Sequence, residues 1–127
     1  MNSYQTVRTR TMTLKNESDI ILARMKVRQL ALDAGLALGN QARISLATSS
    51  LAQRLNIGKG CRGQVDVDFL NQNGTRGIQV TCTIDNGFSK ERASDAAAGV
   101  RWLVDEMSVS DVQPDGKIQV TLVHWKK

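Results

Sequence analysis

The stretch VDVDFLNQNGTRGIQVTCTI, residues 65–84, decides the fold because it contains two alternating apolar runs around an Asn-Gly turn. Alternation with a period of two is typical of strands that bury one face. The dipeptide Asn73-Gly74 favours the tight turn of a β-hairpin. We therefore predict two adjacent antiparallel strands whose apolar positions face a common core.

Two helices are predicted before this hairpin and one after it. Asn16 is a suitable helix cap, and residues at helical spacing follow it as far as Gly35, which is a suitable stop. A second helix is predicted from near Asn40 to the glycines at 58–60. The third helix is predicted to carry a single apolar stripe of seven residues: Ala93, Ala96, Ala97, Val100, Leu103, Val104 and Met107.

Two further strands complete the predicted architecture. Residues 4–14 suit a short edge strand, and residues 117–125 suit a last strand after the turn at 114–116. The order β-α-α-β-β-α-β predicts a single α/β (α+β) domain over residues 1–127. It is a two-layer sandwich in which helices cover one face of a mixed, mostly antiparallel sheet.

The composition is that of an ordinary globular chain, with 41% hydrophobic and 23% charged residues among 127. No apolar run approaches the roughly 18–20 residues that span a membrane, and the first five residues lack the pattern of a secretory signal. Cys61 and Cys82 are far apart and only one histidine is present, which argues against a structural zinc site. We expect a reduced, cytoplasmic protein without a membrane partner.

The net charge of +5 favours acidic partners, nucleic acid among them. Aromatic residues make up only 4% of the chain, and no nucleic-acid motif is present, so we favour a solvated basic surface over nucleic-acid binding. Cys82 falls on the apolar side of its predicted strand and is expected to be a buried, inert thiol. For His124 we expect a structural role.

Three stretches together resemble a known family. They are residues 40–55, NQARISLATSSLAQRL, followed by glycines at 58 and 60; residues 76–87, RGIQVTCTIDNG; and residues 98–107, AGVRWLVDEM. They are similar to the anti-sigma-factor and switch-protein serine kinases of the GHKL superfamily, and most similar to the stressosome type. The resemblance extends from about Val7 to Trp125. It implies a histidine-kinase-like ATPase fold and a bacterial stress-response regulator of transcription that uses ATP and Mg²⁺.

The resemblance implies a pair of site residues on the second helix. In that family a Glu, the candidate general base, stands four residues before an Asn that holds Mg²⁺, and such positions share one helix face. The matching positions are Ser50 and Arg54. Serine cannot act as that base, and arginine carries a fixed positive charge and no lone pair for a cation. We therefore predict no catalytic residue and no metal ligand here.

The same resemblance implies an adenine-reading aspartate and a glycine-rich phosphate loop. Asp85 and Gly87 match the start of the family's Asp-x-Gly-x-Gly pattern, although Ser89 stands in place of its second glycine. The run that ends at Gly99, residues 94–99, stands where the phosphate loop belongs but lacks its other glycines. Arg54 would contact phosphate if nucleotide still bound. ATP and Mg²⁺ are therefore expected cofactors only if this site still works.

Three hypotheses follow for function. The leading one is a degenerate, non-catalytic member of the family that binds a STAS-domain antagonist or a sigma-factor-related protein. Arg101 and Trp102 lie off the apolar stripe of the third helix and are the candidate partner-binding residues, unless Trp102 simply packs against the next strand. The second hypothesis is an active serine/threonine-protein kinase that phosphorylates a STAS-domain antagonist. The third is a basic nucleic-acid-binding module.

Overall fold

The structure, a computed structural model, describes residues 4–57, 59–85 and 89–127. Within these residues the chain forms five strands and three α-helices, with a short 3₁₀ turn before the fourth strand. In chain order the elements are β1 (Gln5–Leu14), α1 (Glu17–Asp33), α2 (Leu38–Arg54), β2 (Gly63–Gln72), β3 (Thr75–Ile84), α3 (Lys90–Ala98), the 3₁₀ turn (Arg101–Leu103), β4 (Glu106–Val109) and β5 (Ile118–Trp125).

The strands form one sheet in the order β1-β2-β3-β5-β4, and every ladder in it is antiparallel. The predicted hairpin is confirmed: β2 and β3 are joined by Asn73 and Gly74, with φ angles of 53° and 88°. Both angles are left-handed, as a type I′ hairpin turn requires. The edge position predicted for the first strand is also confirmed, since among the described strands β1 pairs with β2 alone.

The long helices begin and pack for local reasons. At the start of α1 the Asn16 side chain accepts a hydrogen bond from the Asp19 backbone, and the Asp19 carboxylate accepts one from the Asn16 backbone. This capping box stabilises the first turn. The buried stripe of α1 (Ile20, Ala23, Val27 and Ala31) and the buried face of α2 pack over the apolar side of the sheet, which includes Val65, Val67, Ile78, Val80 and Cys82. The two-layer sandwich with helices on one face is therefore confirmed.

Neither long helix qualifies as a membrane span. Both α1 and α2 contain 17 residues, and no helix in the described part of the chain combines the length and the apolar character that crossing a bilayer needs.

The prediction for the third helix was wrong in its length. Helix α3 ends at Ala98, and the chain then continues through the 3₁₀ turn into a strand. Gly99 at the cap and the β-branched Val100 and Val104 disfavour further helix. Val100 and Val104 are still buried, so the apolar spacing identified core positions but not one continuous helix.

One strand was missing from the predicted order. Met107, which was assigned to the third helix, lies half-buried in β4. This short strand pairs antiparallel with β5 at the sheet edge opposite β1. Because all the ladders are antiparallel, the expectation of a mixed sheet was also wrong.

Candidate functional site

Helix α2 places both of the helical site positions that the sequence suggested. Ser50 is half-buried in its last turns, and Arg54 is its exposed last residue. The four-residue spacing sets them on one side of the helix. The adjoining face of the helix, which includes Ile44, Ala47 and Leu51, is fully buried in the core. The core therefore determines the orientation of α2 and, through it, the positions of Ser50 and Arg54.

The structure brings Arg54 and Gly99 into direct contact. A Cβ atom placed on Gly99 would lie 2.4 Å from Cζ and 2.5 Å from Nη1 of Arg54. The guanidinium group thus occupies the volume that any side chain at position 99 would need. Gly99 caps α3 with an ordinary helical φ of −66°, so its small size, and not its conformational freedom, permits this contact.

Next to this contact lies a small open depression. Its volume is about 280 Å³, and it is lined by Arg54, Arg92, Asp95 and Ala96. Ligand pockets for drug-sized molecules usually span roughly 300–1,000 Å³. The depression therefore lies near the lower end of that range, and one of its walls carries the Asp95 carboxylate.

The segment expected to resemble a phosphate loop lies inside a helix except for its last residue, Gly99. Helix α3 starts at Lys90, capped by the Ser89 hydroxyl, which accepts a hydrogen bond from the Arg92 backbone at 3.1 Å. Only the first four N–H groups of a helix lack a partner within it. Residues 94–98 therefore have their backbone N–H groups committed to the helix.

Asp85 and Gly87 are only partly described. Asp85 follows β3 with an exposed side chain, and its backbone N–H donates to the Arg62 carbonyl at 3.4 Å. Gly87 lies outside the described residues. The adenine-reading role of this pair stays a prediction.

Arg101 and Trp102 lie in the 3₁₀ turn that leads into β4. The Trp102 side chain is 67% exposed, so the alternative that it packs against the next strand was wrong. Its carbonyl accepts a hydrogen bond from Arg43 of α2 at 3.5 Å. Arg101 bonds instead to its own turn, through Nη1 to the Val104 carbonyl at 3.0 Å. The exposed Trp102 therefore lies on a turn that hydrogen bonds from Arg43 and Arg101 stabilise. Its role in partner binding stays a prediction.

A polar network that no sequence pattern predicted lies on the uncovered face of the sheet. Asp66 and Asp68 of β2 are both buried and both face Arg8 of β1, at 3.3 Å and 2.6 Å. The Thr11 hydroxyl also donates to Asp66 at 2.7 Å, and Gln79 donates to Asp68 at 3.2 Å. The hydrogen bond to Asp68 raises the pKa of Arg8, although partial burial opposes this. The Asp-x-Asp spacing was visible in the sequence, but its partner comes from strand pairing, which no local pattern reveals.

The network lines a cavity of about 500 Å³ on that face, together with polar side chains of β3, β4 and β5. Both carboxylates already have protein partners, so the cavity holds no unsatisfied charge on β2 that would call for a ligand.

Two buried titratable groups lie elsewhere in the sheet. Cys82 is fully buried, and burial raises the pKa of its thiol to about 12, which confirms the expected inert thiol. His124 is also buried; its Nδ1 lies 3.7 Å from an Asp105 oxygen, and neither ring nitrogen has a hydrogen-bond partner within the described residues. No pattern in the sequence predicted Asp105 as a neighbour of His124. Residues 4–57, 59–85 and 89–127 contain no group of three His, Cys, Asp or Glu side chains that could hold a metal ion.

Comparison with known proteins indicates which class of protein this chain resembles. No family model matches the chain. Over its full length, however, the chain is similar to a serine/threonine-protein kinase. That protein is RsbT of Bacillus subtilis (strain 168), which is 28% identical over 138 aligned residues that cover 98% of each chain. This similarity supports an RsbT-like family, and it agrees with the resemblance drawn from the three sequence stretches.

Proposed function

We propose that this chain is a regulatory protein that acts by binding a partner protein and does not use ATP. The full-length similarity to a serine/threonine-protein kinase supports a kinase-type scaffold. The antiparallel sheet with helices on one face is compatible with the finer proposal of a GHKL, histidine-kinase-like fold. The observation that carries the proposal is the Arg54 guanidinium lying over Gly99.

The residues at the family's metal and base positions do not fit Mg²⁺-bound ATP. A guanidinium group has donors only and keeps its charge, so Arg54 repels a cation where the family would have an Asn ligand. Ser50 offers no carboxylate for a general base. Loss of both functions on one helix supports a role without catalysis.

The phosphate-binding part of the site is equally unfavourable. Anion binding at a helix start needs free backbone N–H groups and a positive local field. Residues 94–98 lie in the body of α3, and Asp95 places a negative charge on the wall of the depression. Residues 94–98 therefore do not offer the glycine-rich cradle that the resemblance implies at this position.

The surface around Trp102 supports binding of a partner protein. Interface hot spots are enriched in Trp and Arg, because these side chains contribute a large contact area and several donors. Trp102 is largely exposed, and Arg43 lies beside its backbone. The resemblance implies a STAS-domain antagonist or a sigma-factor-related regulatory protein as the partner.

A thermal-unfolding titration with ATP and ADP, with and without Mg²⁺, tests the loss of nucleotide binding. A ligand present at one hundred times its Kd stabilises the native state by about 2.7 kcal/mol. We expect no shift in Tm at millimolar nucleotide. A clear Mg²⁺-dependent shift would overturn this part of the proposal.

Binding assays with STAS-domain and sigma-factor proteins from the same organism test the other part. We expect one of them to bind, and Trp102→Ala to weaken that binding by about 30-fold or more, which corresponds to the 2 kcal/mol of a hot spot. Val112→Ala is the matched control, since Val112 is also an exposed apolar residue. Equal losses for both variants, or no binding at all, would contradict the proposed partner surface.

The second candidate function is an active serine/threonine-protein kinase. It is favoured by the name of the similar protein and by two arginines, Arg54 and Arg92, on the walls of one depression, where they could contact phosphate. Its test is transfer of radiolabelled phosphate from ATP to a STAS-domain protein. Transfer that Arg54→Ala abolishes would establish the kinase and remove the non-catalytic proposal.

A further inference from the structure

The outer side of α1 exposes an apolar ridge next to the edge strand. Ile21, Leu22, Met25 and Leu32 are each more than half exposed, although the buried stripe of the same helix already packs on the sheet. At about 100° per residue, Ile21, Met25 and Leu32 project within about 40° of one another. Single exposed apolar side chains are common on protein surfaces, but four on one helix form a patch.

A groove runs along this ridge on the side of β1. A cavity of about 570 Å³ lies between the two elements, with Met12 and Leu14 on the strand and Leu22 and Met25 on the helix. A second cavity, of about 390 Å³, continues at the other end of the strand around Val7 and Phe69, beside the end of α1. Because α1 runs back along β1, the two cavities follow one line at this edge of the sandwich.

Basic side chains flank the groove and the ridge. Arg10 and Lys26 line the larger cavity, and Arg24 and Arg28 project from α1 beside the ridge. Within the part of the chain that the structure describes, none of the four forms an ion pair. The one acid in that cavity, Asp19, is already held in the helix cap. The larger cavity therefore combines an apolar floor with an excess of positive charge, whereas the second cavity has Asp33 in its lining.

The edge strand is poorly suited to accept another strand. The pairing of β1 with β2 is interrupted at Thr9, which has no opposite residue between Arg8 and Arg10. A bulge of this kind bends an edge and, together with charged side chains, hinders edge-to-edge pairing. A helix that lies in the groove needs no backbone hydrogen bonds from β1 and avoids this obstacle.

We propose that the groove between α1 and β1 binds an acidic amphipathic helix of a partner protein. Apolar residues of that helix, spaced at i, i+3, i+4 and i+7, contact Met12, Leu22 and Met25, and its carboxylates pair with Arg10 and Lys26. The distance from Leu22 to Leu32 along α1 is about 15 Å, so roughly three turns of a helix fill the surface. This site is independent of the nucleotide positions and of Trp102, which lies beside the opposite sheet edge.

The test uses a phage-displayed library of random fourteen-residue peptides selected on the full chain at low salt. We expect the selected peptides to converge on helical apolar spacing with Asp or Glu between, and a synthetic copy to become helical on binding by circular dichroism. Met25→Asp and Lys26→Glu are each expected to weaken binding by at least tenfold. Lys117→Glu, the same charge change at an exposed site outside the groove, and Trp102→Ala are expected to leave binding unchanged.

Several outcomes would overturn the proposal. Peptides that are basic or extended, peptides that bind the Met25→Asp variant equally well, or a selection without binders would each do so. A concentration-dependent dimer that Met25→Asp dissociates would identify a second copy of the chain as the occupant. Binding to phosphatidylglycerol vesicles that requires Met25 would identify a lipid surface. Thermal unfolding of every variant checks that the fold is retained.

Discussion

Helix α2 has a buried face and an outer face that differ in what they share with the kinase family. The buried face keeps the apolar spacing of a packed helix, with Ile44, Ala47 and Leu51 completely inaccessible. The outer face of the same helix carries Ser50 and Arg54, the positions that the resemblance matches to the family's base and metal ligand. Packing and chemistry are therefore separable on one element, as expected where functional sites are grafted onto folds.

The largest effect is expected on the buried face. Replacing Leu51 by Ala removes a fully buried side chain and leaves a cavity between α2 and the sheet, which costs about 2–5 kcal/mol in unfolding free energy. Urea unfolding followed by circular dichroism measures this loss as a lower midpoint with an unchanged m value.

The neighbouring Ser50→Ala variant is the matched control. We expect its unfolding free energy to stay within about 0.5 kcal/mol of the wild type. Similar losses for both variants would mean that the two faces of α2 do not differ in the way described, and that the Ser50 side has a packing role of its own.

The fold was largely predictable because its determinants are local. The hairpin depends on Asn73-Gly74 and on alternation in the flanking strands, and α1 begins at a cap formed by neighbouring residues. The end of α3 was not predictable from spacing, since buried Val100 and Val104 continue an apolar pattern through a non-helical turn. The strand β4 was not predictable either, because it pairs with β5, a segment that comes later in the sequence.

Burial also affects titratable groups. The second-largest change in unfolding free energy is expected from the buried His124. Burial lowers the pKa of His124; Asp105 opposes this, and the charges of Lys127 and Arg43 add to it. The folded state thus binds a proton less readily than the unfolded chain. Stability from the neutral ring is present above the unfolded pKa of about 6.5 and is lost as pH falls below it.

Urea unfolding between pH 7.5 and 5 measures this effect. As the pH is lowered from 7.5 to 5, we expect the unfolding free energy of the wild type to decrease. In His124→Gln we expect it to decrease less steeply. Asp105 titrates lower: burial alone would raise its pKa, but hydrogen bonds from Lys127 and the Trp125 backbone lower it overall. Its stabilising contribution is lost only in more acidic solution. Equal slopes for wild type and variant above pH 5 would exclude His124 as the source.

The third effect, at Arg54, is expected to be small. The exposed guanidinium lies over Gly99, and Arg54→Ala removes only this surface contact. We expect a change within about 0.5 kcal/mol in unfolding free energy and no loss of partner binding. A loss above about 1 kcal/mol would show that Arg54 supports the fold.

The candidate site was predictable only through the resemblance. Helical spacing correctly placed Ser50 and Arg54 on one side of α2, but no pattern in the sequence indicated that Arg54 would reach Gly99 of α3. The Asp66–Arg8–Asp68 network was missed for the same physical reason, because it depends on the register of β1 against β2. Both features depend on contacts between elements that are distant in sequence, and such contacts leave no local sequence pattern.

The smallest effect is expected when both Ser50 and Arg54 are replaced and nucleotide binding is measured. The variant Ser50→Glu with Arg54→Asn introduces the residue types that the resemblance implies for a base and a metal ligand at these positions of α2. We nevertheless expect no nucleotide-dependent shift in Tm, because residues 94–98 remain inside α3 and Asp95 remains beside the depression. The measurement is thermal unfolding with millimolar ATP and Mg²⁺, with Arg54→Asn alone as the control. A Tm shift that corresponds to a stabilisation of about 2.7 kcal/mol in the double variant would contradict this. It would mean that α2 alone blocks nucleotide binding and that the phosphate region still accepts its ligand.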